Sequence, residues 1–287
     1  MKHLKLFEYF EKRNEEEESK RDLLYFSFDI DDNLLHMPTR IHMEHLVDGE
    51  WVVEPVDTDK FAIVRKDKEN WRYGPGDESF VEFRDWGPRG KDTFMHDFKK
   101  AVYDGKFGPS WKKFIECLVN GNIFSIITSR GHSPINVRRA IEWLIYEYGL
   151  NKFKKLNIKN VDNQEDFEEQ MTNNLLEYHE LFGTDPDYVI DQYLDLCPIY
   201  TISSPEFKER FPGLSAEESK KVALRDFNKI VHEYANILGV TAKLGFSDDD
   251  PAFVKAAADE FSKLRDDFKN VDYSVFDTGG RQMKKFM

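Results

Sequence analysis

Three short apolar segments of this chain each end abruptly in polar residues, and this repeated pattern constrains the fold more than any other feature of the sequence. The apolar segments and the polar groups that follow them are residues 23–28 with 29–33, 123–127 with 128–132, and 240–246 with 247–250. Short apolar runs bounded by polar residues are typical of buried strands. We therefore predict buried strands that present polar side chains at their carboxyl ends.

Between these strands, apolar residues recur with helical spacing. This spacing predicts helices over residues 110–120, 134–148, 215–237 and 251–268, and two further apolar runs predict strands over 199–202 and 272–276. Ser215 and Glu218 match a capping box, and Pro251 suits the first turn of a helix. Strands alternating with helices predict an α/β fold: a Rossmann-like, doubly wound parallel sheet whose ligands bind beyond the carboxyl ends of its strands.

Segments that do not follow the alternation of strands and helices predict the domain organisation. Residues 1–20 read as a charge-rich helical leader, and residues 36–100 form short alternating pieces broken by turn residues, as expected of a β-rich cap insertion. The core then comprises residues 21–35 and 101–280, with a polar, mostly helical insertion at 151–196 to which no role is assigned. The aromatic side chains of the cap are expected to fill its small core: Trp51, Trp71, Phe80 and Trp86.

Composition restricts the environment and the partners of the chain. No run approaches the ~18 apolar residues of a membrane span, and the N-terminus lacks an apolar signal region, so we expect no membrane partner. Cys117 and Cys197 lie in apolar segments and are expected to be buried thiols of a cytoplasmic protein. The net charge of −13 disfavours nucleic acid as a partner. The four lysines within residues 152–159 suggest a local basic face, but a solvated surface is the preferred interpretation.

The aspartates after the first predicted strand suit phosphoryl chemistry. Asp29 is the candidate nucleophile, because a carboxylate that attacks phosphorus gives a covalent intermediate and splits hydrolysis into two easier steps. Asp31 is the candidate general acid and base. A carboxylate attacking an anionic phosphate needs a cation, and a Mg²⁺ ion held by Asp29, a main-chain carbonyl and either Asp248 or Asp249 would supply it.

These residues resemble the haloacid dehalogenase (HAD) superfamily, whose four short motifs occur in the same order. The segment 26–34, with Asp29 and Asp31 at its centre, is similar to the first motif, although Asn33 replaces the usual residue. The resemblance implies a phosphatase in which Asp29 is the nucleophile, Asp31 is the acid and base, and the carbonyl of Asp31 is a metal ligand. The expected substrate is a phosphorylated small molecule.

The resemblance also implies roles for the residues of the three remaining motifs. Thr128 is expected to bind a phosphoryl oxygen, with Ser129 as a weaker neighbouring candidate. The motif lysine is Lys220 or Lys221, and we favour Lys221. The segment 244–250 is similar to the fourth motif, but Phe246 departs from it, which leaves the choice between Asp248 and Asp249 as inner metal ligand open.

Alternative interpretations accompany each of these predictions. A calcium loop beginning at Asp29 is rejected, because its sixth and twelfth positions would be Leu34 and Arg40 rather than Gly and Glu. A solvated acidic turn remains as an alternative for the first motif. Arg130 and His132 are left out of the catalytic set. The competing functions are a nucleotide or polynucleotide end-phosphatase and a HAD-like binding protein without turnover.

Overall fold

The structure, a computed structural model, describes residues 23–76, 78–90, 92–158, 167–182, 188–280 and 282–287, without the side chains of 168, 176–182 and 238. The predicted leader at 1–20 lies outside the described residues. The strands are β1 (Leu23–Phe28), β2 (Ile41–Val47), β3 (Glu50–Val56), β4 (Trp71–Tyr73), β5 (Phe124–Thr128), β6 (Ile199–Thr201), β7 (Ala242–Asp248), β8 (Val271–Asp277) and β9 (Lys284–Lys285).

Helices connect and cover these strands. The α-helices are α1 (Thr58–Val64), α2 (Thr93–Tyr103), α3 (Trp111–Val119), α4 (Pro134–Trp143), α5 (Phe167–Phe182), α6 (Val189–Asp195), α7 (Pro205–Arg210), α8 (Ala216–Leu238) and α9 (Pro251–Asp267). Glu78–Phe83 and Leu150–Leu156 are 3₁₀ segments, and Leu144–Tyr148 continues α4 as a π-helical turn. The helices predicted at 110–120, 134–148, 215–237 and 251–268 are therefore confirmed, with small shifts at their ends.

The central sheet has the strand order β6-β5-β1-β7-β8-β9, and its neighbouring strands are parallel except for β8 and β9. The fold is thus mixed α/β, with a mostly parallel sheet flanked by helices, and it is compatible with the predicted Rossmann-like class. Strand β7 continues to Asp248, two residues beyond its predicted end, because it keeps its register with β8 as far as Asp277. The carboxyl ends of β1 and β7 lie side by side.

Two long helices begin at this edge of the sheet as the sequence predicts. The side chain of Ser215 accepts a hydrogen bond from the backbone N–H of Glu218 and caps α8, which ends at Gly239 in the left-handed conformation that glycine adopts readily. The side chain of Asp250 accepts from the N–H of Ala252 and caps α9, with Pro251 in its first turn. The positive ends of both helix dipoles therefore lie at this edge.

The predicted insertion forms a small cap with a sheet of order β3-β2-β4 and a separate apolar cluster of Ile41, Met43, Val56, Val64 and Trp71. Its predicted boundary at residue 100 needs correction. Phe94 and Phe98 of α2 are buried in the main core, where α2 packs against α4. The cap therefore ends near residue 92, because the apolar face of α2 is covered by the core helices.

The expectation for the aromatic residues of the cap is also only partly met. Trp71 belongs to the apolar cluster of the cap, whereas Phe80 and Trp86 remain 36% and 54% exposed. Phe61 and Phe83 pack partly against that cluster. Trp51 is half-buried on β3, where the Arg72 guanidinium lies 4.2 Å from the centre of its ring.

The helical insertion at 151–196 contributes to the main core. Its buried side chains include Phe167, Met171, Leu175 and Tyr193, so within the described residues it closes the side of the core next to α3. Cys117 and Cys197 are free and buried, as predicted. In the part of the chain that the structure describes, no helix combines the length and the apolar character needed to cross a membrane.

Candidate functional site

Three aspartates meet where β1 and β7 end. The parallel register of these strands pairs Phe28 with Ser247, and the N–H of Asp29 donates to the carbonyl of Ser247 at 3.1 Å. This register brings Asp29 beside Asp248, and one carboxylate oxygen from each of Asp29, Asp248 and Asp249 lies within 4.8 Å of the others. Two polar groups some 220 residues apart in the chain thus form one cluster.

Lys220 is the basic residue of this cluster. Its Nζ donates to Asp29 Oδ1 at 2.9 Å and to Asp248 Oδ2 at 2.5 Å, and its side chain is almost fully buried. Lys221 lies one residue further along α8, about 100° around the helix axis, and pairs with Glu218 near the surface. The predicted preference for Lys221 over Lys220 was therefore wrong. Of the two adjacent lysines, Lys220 lies on the face of α8 that is turned towards the aspartates, and Lys221 does not.

The electrostatics of the cluster oppose the simultaneous ionisation of its three carboxylates. Burial raises the pKa of Asp29 to about 8, with contributions from Asp248 and Asp31, although Lys220 opposes the rise. Burial and the neighbouring carboxylates likewise raise the pKa of Asp249 to about 9 and also raise that of Asp248. Burial lowers the pKa of Lys220, but Asp248 and Asp29 outweigh it and the pKa is raised overall.

This charge distribution fits a divalent cation. When all three carboxylates are ionised, they exceed the one ammonium by two negative charges, which a divalent cation would offset at this largely buried position. Hard divalent ions such as Mg²⁺ prefer carboxylate oxygens, and Mg²⁺ is usually held by one or two carboxylates together with water and substrate oxygens. The donors contributed by Asp29, Asp248 and Asp249 are of this type, so the residues present fit Mg²⁺.

Asp31 follows Asp29 in a tight turn, which contains Asp32 in the left-handed region at φ 54°. Its carboxylate is held by Arg130, which donates from Nε at 2.8 Å and from Nη2 at 2.7 Å. Such a two-point pairing fixes both the position and the orientation of a carboxylate. Asp31 therefore lies near the cluster but has a cationic partner of its own.

Arg130 is the residue that sequence reasoning missed. It is fully buried, and its guanidinium lies 4.6 Å from the ring centre of Phe83 in the cap and 5.5 Å from that of Phe94 in α2. Its Nη2 also donates to Thr39 Oγ1 at 2.8 Å. The signal available in the sequence was its position two residues after Thr128, at the carboxyl end of a buried strand. His132, which is likewise outside the predicted catalytic set, lies buried against Phe94.

Thr128 and Ser129 occupy different depths at the end of β5. Thr128 is fully buried, and its Oγ1 accepts from the N–H of Arg130 at 3.3 Å. Ser129 is exposed and lines the cavity above the aspartates, which Thr128 does not. The structure thus brings Ser129, the weaker candidate, to the cavity wall and leaves Thr128 beneath it.

The two departures from the resembled motifs have structural roles. Asn33 is fully buried; its Nδ2 donates to the carbonyls of Asp29 and Ser247, and its Oδ1 accepts from Ser110 and Thr278. Phe246 is a fully buried core residue of β7. Asp248 is the more buried of the two candidate ligands and alone contacts Lys220, whereas Asp249 is half-buried at the cavity.

A cavity of about 750 Å³ lies between the cap and the core above this cluster. Asp29, Asp31, Asp248, Asp249 and Lys220 contribute to its core wall. The cap is joined to the core beside it by Arg65, whose Nη1 and Nη2 both donate to Asp250 at 3.1 Å. Cavities of this size hold small molecules.

The fold and site together define an α/β protein with two buried aspartates, a third that is half-buried, a buried lysine and a capped cavity at the carboxyl ends of β1 and β7. Comparison with known protein families, with characterised proteins and with solved structures finds no match. The function is therefore argued from the geometry of the site.

Proposed function

We propose that this protein is a Mg²⁺-dependent phosphomonoester hydrolase that acts through an aspartyl-phosphate on Asp29. The observation that carries the proposal is the position of Asp29: a buried carboxylate at a strand end, bonded through Oδ1 to Lys220 and grouped with two further carboxylates beneath a cavity. A structural ion pair needs one carboxylate for one lysine. Here Lys220 is shared by Asp29 and the buried Asp248, and Asp249 adds a third, half-buried carboxylate, so the surplus of carboxylates over the lysine suits a metal-assisted reaction of an anionic substrate.

The residues perform complementary tasks in this mechanism. A carboxylate oxygen of Asp29 attacks phosphorus, so an O–P bond forms as the ester P–O bond breaks and the leaving oxygen takes up a proton. Water then attacks the phosphorus, releases phosphate and restores the Asp29 carboxylate. Lys220 keeps a positive charge next to the nucleophile in both steps, which offsets the charge that develops on the phosphoryl oxygens.

Asp29, Asp248 and Asp249 would hold Mg²⁺ in this mechanism, together with the carbonyl of Asp31 that the motif resemblance implies. The bound cation would offset the repulsion between the attacking carboxylate and the anionic phosphoryl group. We assign the proton transfers to Asp31. Arg130 orients the Asp31 carboxylate and pairs with it when Asp31 is ionised. The ionised carboxylate is the form of Asp31 that accepts a proton from the attacking water.

Turnover of a generic aryl phosphate tests the proposal. We expect Mg²⁺-dependent hydrolysis of para-nitrophenyl phosphate that EDTA abolishes, and a loss of about 10³-fold or more in kcat for Asp29→Asn. Asp272→Asn, an exposed aspartate at the start of β8, is the matched control and should retain full activity. Full activity of Asp29→Asn, or no turnover over a broad panel of phosphomonoesters, would show that the mechanism is wrong.

Of the competing functions, a polynucleotide end-phosphatase and a binding protein without turnover have less support. Hydrolysis at polynucleotide ends would use the basic face at 152–159, but the net charge of −13 opposes it and Lys159 lies outside the described residues. The binding protein without turnover was suggested by Asn33 and Phe246. Both have a structural role here, so neither gives a reason to expect inactivity.

A further inference from the structure

Two large aromatic side chains of the cap, Phe80 and Trp86, line the cavity and remain partly exposed to it. They are 36% and 54% exposed. Neither belongs to the apolar cluster of the cap, which consists of Ile41, Met43, Val56, Val64 and Trp71, nor to the partly buried residues packed on that cluster. Phe80 contacts Phe61, Tyr73 and Phe83 of the cap, but part of its ring, like that of Trp86, stays exposed at the cavity.

The neighbouring rings leave Phe80 available to a ligand. Phe61 and Phe83, which also line the cavity, meet Phe80 with interplanar angles of 85° and 80° and centroid distances of 5.9 Å. These are edge-to-face contacts, and Tyr73 meets Phe80 at a tilted angle of 34° with the same centroid distance, so none of the three rings is stacked in parallel on Phe80. The cavity is thus lined by aromatic side chains of the cap and by the aspartates and Lys220 of the core.

The segment that carries these rings is held firmly against the core. The N–H of Gly131 donates to the carbonyl of Phe83 at 2.8 Å, and the N–H of Ser133 donates to Asp85 Oδ2 at 2.7 Å. A Cβ atom at position 131 would lie 3.5 Å from the Phe83 carbonyl oxygen and from Arg84 Cβ, and 3.0 Å from the Ser203 carbonyl oxygen, so glycine suits this crowded position. Because the segment is tied on both sides of Arg84, the aromatic lining is formed before a ligand arrives, which lowers the entropic cost of binding.

We propose that the cavity binds nucleoside monophosphates, with the phosphate at Asp29 and Lys220 and the base stacked on Phe80 and Trp86. The inference rests on the proposed function and specifies its substrate class. Flat aromatic rings stack on the face of any nucleobase, because every base is a planar aromatic ring. The charged end of the cavity suits the phosphate, and the aromatic lining suits the base.

The dimensions and the remaining lining favour a nucleotide over a simpler phosphate ester. About 750 Å³ exceeds what a phosphorylated glycerol or similar small ester needs, and lies in the range that encloses drug-sized ligands. Polar side chains line the cavity as well, among them Ser129, Ser203 and Glu217, and these suit the hydroxyls of a ribose. A simple aryl phosphate would leave these groups without a partner.

The test compares substrates across variants of the full chain with Mg²⁺ present. We measure kcat/KM for adenosine and uridine 5′-monophosphates and for glycerol 2-phosphate, and take the ratio of the nucleotide value to the glycerol phosphate value. In Phe80→Ala and in Trp86→Ala we expect this ratio to fall by about tenfold or more. Trp51→Ala is the matched control, because Trp51 lies in the cap but does not line the cavity, and its ratio should equal that of the unmodified chain.

A second measurement separates binding from turnover. Calorimetric titration of adenosine 5′-monophosphate into Asp29→Asn should show binding that Phe80→Ala and Trp86→Ala weaken in the same background.

The combined outcomes separate the two proposals. If no phosphomonoester is hydrolysed but this pattern of binding holds, the proposed function fails and the nucleotide site stands. If glycerol phosphate or phosphotyrosine is hydrolysed at least as efficiently as the nucleotides, or if the ratio is unchanged in both variants, the nucleotide assignment is overturned while the phosphatase proposal stands. Absence of both turnover and binding overturns both.

Discussion

At the scale of single residues, one buried amide connects the chain segments that form the site. The side chain of Asn33 bonds to main-chain carbonyls of the β1 and β7 ends and to hydroxyls that precede α3 and follow β8. An amide is suited to this position because it donates and accepts at the same time. The hydroxyl of a shorter side chain could not meet all of these partners.

Replacement of Asn33 should therefore be costly. We expect Asn33→Ala to lower the free energy of unfolding by about 2–4 kcal/mol, because several buried partners lose their hydrogen bonds at once. Urea denaturation with two independent probes measures this change. Asn151→Ala, at an exposed position in the 3₁₀ segment Leu150–Leu156, should change stability by less than about 0.5 kcal/mol. A similarly small effect at Asn33 would contradict the role given to it.

Lys220 and Lys221 are adjacent lysines of α8 with different partners, so the effects of replacing each one on catalysis can be compared. We expect Lys220→Met to reduce kcat by about 10²-fold or more, because the charge next to Asp29 is lost where charge develops in the reaction. Lys221→Met should retain activity within about twofold, since Lys221 contacts Glu218 near the surface. Steady-state kinetics on an aryl phosphate, with circular dichroism to verify folding, make the comparison. Equal effects of the two substitutions would be inconsistent with the site described above.

At the scale of secondary-structure elements, the end of β5 is joined to both the β1 loop and the cap. Arg130 follows β5 and bonds to Asp31 after β1 and to Thr39 at the start of the cap, and Thr39 in turn donates to Asp97 of α2 at 2.7 Å. Arg89 of the cap also bonds to Asp97. The orientation of Asp31 is thus coupled to the position of the cap.

Arg130→Lys tests this coupling without removing the charge. Lysine cannot reproduce the two parallel bonds of the guanidinium, so we expect kcat/KM to fall about tenfold or more and stability to fall by about 1–3 kcal/mol. Thr39→Val removes only the hydroxyl between Arg130 and Asp97. It should lower stability and leave the pH profile of kcat unchanged, whereas Arg130→Lys should shift that profile. An unchanged profile in Arg130→Lys would show that Arg130 only supports the fold.

At the scale of the whole molecule, the buried carboxylates link stability to pH and to metal. The pKa values of Asp29 and Asp249 are raised to about 8 and about 9, so both keep a proton in the folded, metal-free chain at pH values where the unfolded chain has lost it. Their contribution to stability is full below about pH 4 and is lost as the pH rises towards 8–9. Metal binding requires the ionised carboxylates and therefore counteracts this loss.

Thermal unfolding with and without Mg²⁺ measures this linkage. Without metal, we expect the melting temperature to decline from pH 6 to pH 9 more than it does in Asp249→Asn. Saturating Mg²⁺ should raise the melting temperature by roughly 5 °C at pH 8.5, and by less at pH 6, where protonation competes with the ion. A Mg²⁺ effect that is equal at both pH values, or retained in Asp249→Asn, would exclude the three aspartates as its origin.

Much of this organisation was predictable because it depends on local patterns. The apolar run before Asp29, the N-cap at Ser215 and the proline at the start of α9 each follow from residues close together in the chain, and all are confirmed. The second half of the predicted capping box is not, because the Glu218 carboxylate pairs with Lys221. The order of the polar strand ends also predicted that Asp29 and Asp248 would lie near each other, because parallel strands share one edge. These features require only the alternation of strand and helix.

By itself, then, the sequence determined the α/β class, the edge of the sheet that carries the polar cluster, and most members of that cluster. The tertiary structure alone decided that Lys220 rather than Lys221 faces Asp29, that Arg130 holds Asp31, and that Phe80 and Trp86 face the cavity instead of the core of the cap. The reason is physical: these outcomes depend on helix rotation and on packing between segments far apart in the chain, which local periodicity does not encode.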